Sequence, residues 1–511
     1  MSATAVSPRA RRTRVLLLGT VLLVAVCGFV YELVIIALGT YLFGNSIFQV
    51  SIVLAAFVSA MGLGSLAAKP LQRRPVTGFV LVESAVALVG GLSAMLLYAA
   101  FAYADLYQPT MIAVASAIGF LVGCEIPLLM ALLQRTRDES PGRSVADLLA
   151  ADYLGAVVAG IAFPFLLLPA LGQIQSALAV GALNAAAGFV VLRTVRGPSM
   201  LAAPLLAVLA VLAGAAIFAG RFEVTARQQL FDDPIVHTER SRYQDITLTE
   251  SGSGDLRLFL NGDLQFSSRD EYRYHEALVH PALAGPRARV LVLGGGDGLA
   301  LREVLRHPDV KRVVLVDLDP RMLALARTDT RLAGLNQAAF SDPRVTTVAQ
   351  DAFNWLRSST ERFDAVIADF PDPDDAGTAK LYSVEFYDGV RRRLLLPGGR
   401  LAVQGGSPYF APDAFWSIER SVAAAGLATR PYHVDVPSFG DWGFVLARRQ
   451  GEGPPPLAVD RPTGARLRFL DARTLAAAAS FPPDRGRRSV APNTLNRPRI
   501  LDYERRGYRD Y

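Results

Sequence analysis

Long apolar runs fill the first part of this sequence, from residue 15 to residue 220, and they limit its possible folds more than any other feature. Each of seven runs is near or above the ~20 residues that a helix needs to cross the hydrocarbon core of a bilayer. The runs cover residues 15–42, 47–68, 76–103, 111–133, 145–168, 174–192 and 200–219. Because a helix satisfies its own backbone hydrogen bonds in lipid, the sequence predicts a polytopic α-helical membrane domain of about seven helices over 15–220. A short basic tail, 1–14, precedes it.

Several carboxylates interrupt these runs. They are Glu32, Glu83, Glu125, Asp147 and Asp152. A carboxylate in a bilayer is costly and usually marks a functional position. We expect Glu83 and Asp147 to lie near helix ends and reach water, whereas Glu32 and Glu125 lie deeper and are the stronger candidates for a function.

From residue 221 onward the sequence resembles that of an ordinary soluble protein, although 51% of the whole chain is hydrophobic and only 19% is charged. The net charge is +6, but the basic residues are spread over the N-terminus, the loops between apolar runs and the C-terminal tail. Nucleic-acid binding would need a concentrated basic face, so no nucleic-acid partner is expected. The two cysteines, Cys27 and Cys124, lie in apolar runs, and the sequence predicts neither a disulfide framework nor a metal site.

The segment 221–288 is predicted to be a polar linker followed by a small β-structure. Residues 235–266 alternate between apolar and polar positions in short runs. Asn261-Gly262 is a strong hairpin signal within them. A helix over Glu271–Leu283 then leads into a glycine-rich stretch.

The stretch 289–319 has the pattern of the first βαβ unit of a nucleotide-binding sheet. Two apolar strands, 290–293 and 313–316, flank three consecutive glycines and the helical segment 299–306. The unit therefore predicts a parallel sheet with a ligand at the glycine turn.

Three glycines of this stretch, Gly294, Gly296 and Gly298, allow the backbone to turn tightly and approach a ligand with no Cβ in the way. Asp317 ends the second strand about 20 residues on, where a carboxylate can accept hydrogen bonds from both ribose hydroxyls. The GxGxG spacing fits enzymes that bind an adenosyl sulfonium better than it fits dinucleotide enzymes. A glycine-rich turn of any α/β domain is the alternative.

The alternation of strands and helices continues and predicts a doubly wound, Rossmann-like α/β domain over 289–450. Further strands are expected at 344–348, 365–368 and 400–404. In such sheets ligands bind beyond the carboxyl ends of the strands. The polar residues at these ends are Asp317, Asp351, Asp369 and Gln404. The remainder, 451–511, is rich in Pro and Arg and is expected to be an irregular tail packed on the sheet.

The positions of lysine and arginine predict the orientation of the membrane domain. The second, fourth and sixth loops are basic, and the other loops carry no Lys or Arg. The basic residues are Lys69, Arg73, Arg74, Arg135, Arg137, Arg143, Arg193 and Arg196. The positive-inside rule puts the N-terminus and these loops in the cytoplasm, so seven full crossings would put the C-terminal domain outside. A domain that uses a cytosolic nucleotide should lie inside. We therefore expect a multi-pass protein of the cell membrane with a cytoplasmic catalytic domain and one segment that does not cross, while an overridden rule or an external domain stays open.

The segment DFPDP, 369–373, supplies two carboxylates directly after the fourth strand. A sulfonium carries a positive centre and a neutral leaving group, and an amine must lose a proton before it attacks. Of Asp369 and Asp372, one can hold an ammonium group and the other can take the proton. Capping aspartates in an ordinary turn are the alternative. His275 and Glu276, taken alone, are expected to be a buried, satisfied pair on their helix.

Together these motifs resemble the polyamine aminopropyltransferases, the spermidine synthase family, over about 243–447. The matching segments are YQDI (243–246), NGDLQFSSRDEYRYHEALVHPAL (261–283), GGGDGLALREVL (294–305), VDLD (316–319), DPR (342–344), DA (351–352), DFPDP (369–373) and VQGGSP (403–408). Several helices before such a domain are similar to the arrangement in the membrane-bound bacterial subgroup of this family.

The resemblance implies a methyltransferase-like fold and transfer of the aminopropyl group of decarboxylated S-adenosylmethionine to a diamine such as putrescine, giving spermidine and 5′-methylthioadenosine. It implies no permanently bound cofactor and no metal, since decarboxylated S-adenosylmethionine is a co-substrate. The expected partners are these small molecules, the lipid bilayer and, because soluble members form dimers or tetramers, further copies of the chain.

Site residues follow from the resemblance motif by motif. Asp369 would be the proton acceptor. The amine side would be lined by Tyr274, His275, Asp297, Asp372 and Gln404. The nucleoside side would be lined by Gln244, Gln265, Gly294, Gly296, Asp317, Asp351 and Ala352.

The sequence departs from the family pattern at three places. Asp317 stands where the family usually has Glu. The loop after Pro373 continues as Asp374-Asp375, more acidic than usual, and Phe439 stands where soluble members have a tyrosine. The last two departures concern the choice of amine more than the reaction.

Two other functions stay open on the sequence alone. A methyltransferase of the same fold would use intact S-adenosylmethionine, and the glycine motif does not separate the two. Alternatively, the helical half could move polyamines with the soluble half as a sensor, a hypothesis that Glu32 and Glu125 motivate.

Overall fold

The computed structural model describes residues 8–43, 46–104, 106–134, 141–460 and 466–510. The chain divides into two compact units, of which the first ends at Asp232 and the second begins at Asp233. The boundary falls within the predicted linker segment, 221–288. The predictions for residues 1–7, Arg135, Arg137 and 461–465 lie outside the described residues.

The first unit is helical, as predicted. Its α-helices are α1 (Pro8–Phe43), α2 (Ser46–Ala67), α3 (Pro75–Ala104), α4 (Tyr107–Gln134), α5 (Pro141–Ala162), α6 (Leu168–Thr194) and α7 (Ala202–Gln228). Among the described residues, six helical stretches are long and apolar enough to cross a membrane, against seven predicted. The difference arises because the fifth stretch, Val145–Thr194, contains both α5 and α6, joined by a π-helical turn at Phe163–Leu167. Helix α7 extends into the predicted linker as far as Gln228.

This fifth stretch is broken at Gly172, near the start of α6. Gly172 has φ 70° and ψ −173°, a conformation outside the helical region that glycine adopts readily. In a straight helix, residues nine apart are separated by ~13 Å along the axis. Here Ser176 Oγ lies 3.2 Å from the carbonyl oxygen of Leu167. The chain therefore bends back at Gly172, and the predicted segments 145–168 and 174–192 are separate helices.

The acidic residues of this unit differ in exposure. Glu83, which the sequence led us to place within reach of water, is fully buried. The reason is that its face of α3 packs on α6, where a Cβ on Gly188 would lie 3.6 Å from Glu83 Cβ. Asp147 is 40% exposed, as expected, and forms an ion pair with Arg14.

Small residues bring the backbones of α2 and α4 close together. A Cβ on Gly64 would lie 1.8 Å from the carbonyl oxygen of Phe120, and a Cβ on Gly123 would lie 2.0 Å from that of Met61. Close backbone packing of this kind holds helices together in lipid, where no hydrophobic effect acts between them.

The second unit opens with the predicted small β-structure, a four-stranded antiparallel sheet. Its strands pair in chain order and are β1 (Ile235–Arg240), β2 (Asp245–Glu250), β3 (Leu256–Leu260) and β4 (Asp263–Ser267). The expected hairpin joins β3 to β4, where Asn261 and Gly262 have φ values of 54° and 97°. These are the two positive angles that a type I′ turn requires.

Helix α8 (Glu271–Leu283) has the predicted bounds and leads into a seven-stranded sheet. The strands are β5 (Arg289–Gly294), β6 (Arg312–Asp317), β7 (Val345–Ala349), β8 (Phe363–Asp369), β9 (Leu395–Gln404), β10 (Leu427–Val436) and β11 (Gly440–Arg449). Their order is β10-β11-β9-β8-β5-β6-β7, with β5 to β9 parallel. The antiparallel hairpin β10–β11 on one edge was not predicted.

Helices cover both faces of this sheet. They include α9 (Leu299–Leu305), α10 (Pro320–Thr328), α11 (Thr330–Leu335), α12 (Ala352–Ser358), α13 (Ala376–Ala379), α14 (Val384–Gly389) and α15 (Pro412–Ala424). Alternate residues of β5 belong to different apolar clusters: Leu291 and Leu293 to one, Val290 and Val292 to the other. A strand buried on both faces explains the continuous apolar run in the sequence.

The last segment is not irregular throughout, contrary to expectation. It contains two helices, α16 (Ala472–Ala478) and α17 (Ile500–Gly507). Helices of seven and eight residues are too short to show a clear apolar period, which is why the sequence did not reveal them.

Glu276 of α8 binds this tail. Its carboxylate accepts hydrogen bonds of 2.7 to 2.9 Å from the backbone N–H groups of residues 468–470. Glu276 and His275 are both buried and hydrogen-bonded, as expected, but to other residues and not to each other, because adjacent residues on a helix point in different directions.

Candidate active site

The carboxyl ends of the central strands meet at one edge of the large sheet. Gly294 at the end of β5 is paired with Asp369 at the end of β8. On the other side of β5, β6 ends at Asp317, and beyond β8, β9 ends at Gln404. Asp351 follows β7 by two residues. The polar residues expected at strand ends therefore lie along this one edge.

A glycine turn after β5 forms a crevice at this edge. Gly294 and Gly295 have positive φ values, 80° and 63°. A Cβ on Gly294 would lie 2.0 Å from the Asp369 carbonyl oxygen, and a Cβ on Gly296 would lie 2.6 Å from the Asp317 carboxylate. Side chains are thus excluded at both of the glycines predicted to contact a nucleoside.

The carboxylate of Asp369 faces this turn. Its Oδ2 lies 3.0 Å from the Cβ position of Gly295. Its Oδ1 accepts a hydrogen bond of 2.7 Å from the hydroxyl of Tyr274 on α8. The Tyr274 ring packs against Phe439 and Phe444, at centroid distances of 6.1 and 5.4 Å. A buried phenol therefore holds one carboxylate oxygen and leaves the other directed at the glycines.

Gln404 organises the loop that follows β8. Its Nε2 donates hydrogen bonds to the carbonyl oxygen of Phe370 at 2.8 Å and to Asp372 Oδ1 at 3.2 Å, and it also contacts the Tyr382 hydroxyl. Its Oε1 accepts a hydrogen bond of 2.9 Å from the backbone N–H of Gly406. An amide bound through both ends fixes the position of Asp372.

A buried charge network orients His275. Its Nδ1 lies 2.9 Å from Glu271 Oε2, one helical turn earlier on α8. Arg302 donates to both carboxylate oxygens of Glu271, each at 2.9 Å, and to Glu303 at 3.0 Å. None of these four side chains is more than 8% exposed. The two-fold contact with Arg302 keeps Glu271, and through it His275, in one geometry.

This network sets the charge of His275. Burial lowers the pKa of His275, but the hydrogen bond and the charge of Glu271 outweigh burial and raise the pKa to about 9. Burial raises the pKa of Glu271, whereas the hydrogen bonds and charges of His275 and Arg302 bring it below its ordinary value. At neutral pH, His275 is therefore an imidazolium.

The environment also tunes Asp369. Burial raises the pKa of Asp369 to about 6, the charge of His275 and the hydroxyl of Tyr274 oppose this rise, and Asp297 adds to it. A carboxylate with a pKa near neutral accepts a proton more effectively than an ordinary aspartate does.

The pKa of Asp372 is raised further than that of Asp369. Burial and the charges of Asp374 and Asp263 raise the pKa of Asp372 to about 7, against the hydrogen bond from Gln404. A group of carboxylates close enough to raise each other's pKa attracts cations. Among the described residues, no group of three or more His, Cys, Asp or Glu side chains could hold a metal ion.

Two carboxylates lie on the predicted nucleoside side. Asp317 Oδ1 accepts a hydrogen bond of 2.8 Å from the backbone N–H of Asp319, and burial raises the pKa of Asp317 to about 6. Asp351 caps α12 by accepting from the backbone N–H of Asn354 at 2.9 Å, and it pairs with Lys380 at 2.7 Å. Asp351 thus has a structural role as a cap in addition to its position at the strand end.

The remaining predicted residues are placed less uniformly. Asp297 accepts a 2.8 Å hydrogen bond from the backbone N–H of Leu299, the first residue of α9, and the buried Ala352 is the first residue of α12. Gln244 directly precedes β2 and Gln265 lies in β4, and both are half-buried. Within the described ranges, neither glutamine side chain is hydrogen-bonded to a strand-end carboxylate; Gln265 Nε2 donates instead to the carbonyl oxygen of Asp263 at 3.1 Å.

Sequence reasoning misses several residues of this site. The motifs predict no role for Glu271 or Arg302, although a glutamate four residues before a histidine on a helix indicates such a pair. Tyr382 left no signal, because its hydroxyl reaches Gln404 through packing between separate elements.

Comparison with known proteins identifies relatives of this chain. A family model described as the spermine/spermidine synthase domain matches residues 271–456. "Polyamine aminopropyltransferase 1" of Streptomyces coelicolor is 55% identical, over 98% of this chain and 96% of its own length. "Polyamine aminopropyltransferase" of Mycobacterium tuberculosis is 46% identical, over 97% of both chains.

A similar solved structure is described as "Crystal Structure of Spermidine Synthase in Complex with Transition State Analogue AdoDATO". It is 25% identical in sequence and aligns with a TM-score of 0.43. The alignment covers 48% of this chain and 85% of that one.

Proposed function

Because the chain belongs to the polyamine aminopropyltransferase (spermidine synthase) family, we propose that it transfers the aminopropyl group of decarboxylated S-adenosylmethionine to a diamine such as putrescine, giving spermidine and 5′-methylthioadenosine. The observation that carries this proposal is the carboxylate of Asp369, which is bound by Tyr274 at 2.7 Å and faces the glycine turn. A proton acceptor and a nucleotide-binding turn thus share one crevice.

The reaction is a direct displacement at the methylene carbon next to the sulfonium. The acceptor nitrogen forms a bond to this carbon as the carbon–sulfur bond breaks. The electron pair of the broken bond leaves with sulfur, giving neutral 5′-methylthioadenosine. The nitrogen loses one proton, so the step needs a base beside the nucleophile.

Asp369 is this base. With a pKa of about 6, its carboxyl group is mostly ionised at pH 7 and can still take a proton from an amine. The hydroxyl of Tyr274 holds Oδ1, which leaves Oδ2 for the acceptor nitrogen. The imidazolium of His275 favours the ionised form of Asp369.

Asp372 attracts the cationic acceptor to this base. It follows Asp369 by three residues, and the hydrogen bond from Gln404 holds its carboxylate in place. On the other side of the crevice, Asp317 binds the ribose hydroxyls, and the absence of a side chain at Gly296 leaves room for the sugar beside it. The substrate is thereby placed with its sulfonium between the two groups of carboxylates.

Product identification tests this function. Purified full-length protein is incubated with putrescine and decarboxylated S-adenosylmethionine, and the products are analysed by mass spectrometry. We expect spermidine and 5′-methylthioadenosine in equal amounts. In parallel, intact S-adenosylmethionine is supplied; S-adenosylhomocysteine and a methylated product from that reaction would show a methyltransferase instead.

We further propose that the helical unit crosses the cell membrane. Its helical stretches have the required length and composition. Arg14, near the start of α1, pairs with Asp147, near the start of α5, so these two helix starts lie close together. Four crossings, by α1 to α4, would put both starts on the same side of the membrane. The basic loops then face the cytoplasm together with the N-terminus.

We place the catalytic unit on the cytoplasmic side, where its nucleotide co-substrate is made. With a cytoplasmic N-terminus, this placement requires that one of the seven helices does not cross fully. Cysteine labelling tests it, because the two native cysteines are buried. A cysteine introduced by Ser253→Cys, at an exposed turn of the second unit, should stay unlabelled by an impermeant maleimide in intact cells and become labelled after lysis. Labelling in intact cells would put the unit outside.

A further inference from the structure

The C-terminal helix α17 packs beside the proposed acceptor pocket, although it lies outside the matched family domain, 271–456. It contacts α15 and α13. Helix α13 directly follows the acidic loop, which carries Asp372, Asp374 and Asp375. The packing is close, since a Cβ on Gly507 would lie 2.6 Å from Ala411 Cα. The ring of Tyr508 stacks on Phe410 at a centroid distance of 5.9 Å. These contacts fix the end of the chain against the catalytic unit.

This packing buries the carboxylate of Glu504. Glu504 is 8% exposed and lies one helical turn after the fully buried Ile500, on the face of α17 that packs inward. It lies within electrostatic range of Asp372 and Asp374. Its electrostatic neighbours are these two carboxylates, and among the described residues it forms no ion pair. A buried carboxylate among other carboxylates, with no cation beside it, is costly unless a ligand supplies the positive charge.

Glu504 and Asp263 are electrostatic neighbours of Asp372 but not of Asp369. Asp263, at the start of β4, acts electrostatically on Asp372, and so does Glu504. Neither of them acts on Asp369, whose electrostatic neighbours are other groups. The hydroxyl of Tyr508 lies within electrostatic range of Asp372, Glu504 and Asp263. Three separate elements therefore converge on an acidic region beyond the reacting centre.

We propose that Glu504, together with Asp263 and Asp372, binds the distal ammonium group of the acceptor, the one that is not alkylated. The tail thereby selects α,ω-diamines over monoamines. A diamine places one nitrogen at Asp369 and its second, charged nitrogen among these carboxylates, whereas a monoamine leaves them without a cation. This inference rests on the proposed aminopropyl transfer.

Kinetics with a matched pair of amines tests the inference in the full-length protein. Glu504→Gln keeps the shape of the side chain and removes its charge. Because a charge-assisted hydrogen bond is lost, kcat/KM for putrescine should fall by about 10- to 100-fold, through KM more than kcat. Butylamine has the same chain without the second nitrogen. Its kcat/KM as a substrate, or its inhibition constant against putrescine, should not change.

Asp502→Asn is the matched control, because Asp502 is on the same helix with its side chain 74% exposed. This variant should leave both amines unaffected. Glu504→Asp keeps the charge and should retain part of the preference for putrescine. Thermal unfolding of each variant separates a folding defect from a binding defect.

Two results would overturn the inference. One is an unchanged KM for putrescine in Glu504→Gln, and the other is an equal loss for butylamine, which would show an effect on the reacting nitrogen. If the wild-type protein transfers no aminopropyl group at all, the proposed function fails instead. Equilibrium dialysis with labelled putrescine still tests Glu504 in that case, since the variant should bind this diamine about tenfold or more weakly than the wild type.

Discussion

Both units of this protein bury carboxylates, and Asp369 of the proposed active site differs in its partners from Glu83 and Glu125 of the helical unit. In the catalytic unit, Asp369 accepts a 2.7 Å hydrogen bond from Tyr274. In the helical unit, both carboxylate oxygens of Glu83 and one of Glu125 have no hydrogen-bond partner among the described residues. Asp369 is thus held by a donor, whereas Glu83 has none within the described ranges.

The surroundings of the helical carboxylates are polar but equally unpartnered. The hydroxyl of Tyr31 lies within electrostatic range of Glu83 and Glu125, and within the described part of the chain it also lacks a hydrogen-bond partner. Asn184 is fully buried on α6, between two glycines that pack on α3, and neither atom of its amide is bonded within the described residues. Burial of polar groups without partners is costly in any folded protein and more so in a bilayer.

The comparison teaches that burial alone does not make a carboxylate a base. Burial raises the pKa of Asp369, the partners His275 and Tyr274 oppose that rise, and Tyr274 also decides which oxygen is free. If the reaction depends only on partnered carboxylates, changes in the catalytic unit should have large effects on turnover. Changes at Glu83 and Glu125 should have almost none.

The largest effect is expected from Asp369→Asn. The amide cannot accept the proton that the attacking nitrogen loses, so kcat should fall by ~10² or more, the usual contribution of a general base. Binding of 5′-methylthioadenosine, measured by calorimetry, should stay nearly unchanged because the glycine turn is intact. Asp388→Asn, on the exterior of the same unit, serves as the matched control. Full activity of Asp369→Asn would remove Asp369 as the base.

A second prediction concerns the partners of His275. Its pKa of about 9 in the folded protein lies above the ordinary value of 6.5 because of Glu271. This difference corresponds to roughly 3 kcal/mol of stability. Because the folded pKa is raised, the stabilisation is complete below pH 6.5 and is lost as the pH rises through 9. The thermal unfolding midpoint (Tm) of the wild type should therefore fall as the pH is raised from 6.5 to 9.

Glu271→Gln should lower the midpoint at pH 6 and flatten its decline toward pH 9.5, since the pKa of His275 then returns toward 6.5. Glu361→Gln removes a carboxylate from an exposed pair of arginines and should change neither the midpoint nor its slope appreciably. An unchanged pH slope in Glu271→Gln would show that Glu271 does not hold the charge of His275.

Features of the fold and of the site could be predicted from the sequence only where the residues involved lie close together along the chain. The βαβ unit and the residues at strand ends were predictable because a strand and the residue that ends it are adjacent in sequence. The partner of His275 was within reach as well, four residues away at Glu271, but adjacency favoured the wrong residue, Glu276.

Residues brought together by packing between distant elements could not be predicted. Tyr382 and Glu504 follow Asp369 by many residues and reach the site only because α13 and α17 pack beside the acidic loop. The burial of Glu83 was missed for the same reason. Its position near one end of α3 suggested that its carboxylate reaches water. It is instead enclosed by α6, a helix about 100 residues later in the chain.

The smallest effect on turnover is expected from the double variant Glu83→Met and Glu125→Met. Methionine has a similar length and no polar group, so replacing unpartnered buried carboxylates should stabilise the helical unit by ~1–4 kcal/mol, as apolar replacement of buried charges often does. Aminopropyl transfer in detergent should stay within about twofold of the wild type, because the general base and its donors belong to the other unit. Thermal unfolding and the putrescine assay measure the two quantities on one preparation. A rise in stability with unchanged turnover would show that the helical carboxylates are retained for something other than this reaction. A loss of turnover comparable with that of Asp369→Asn would show instead that the two groups of carboxylates serve one reaction, and the contrast between partnered and unpartnered groups would no longer separate their functions.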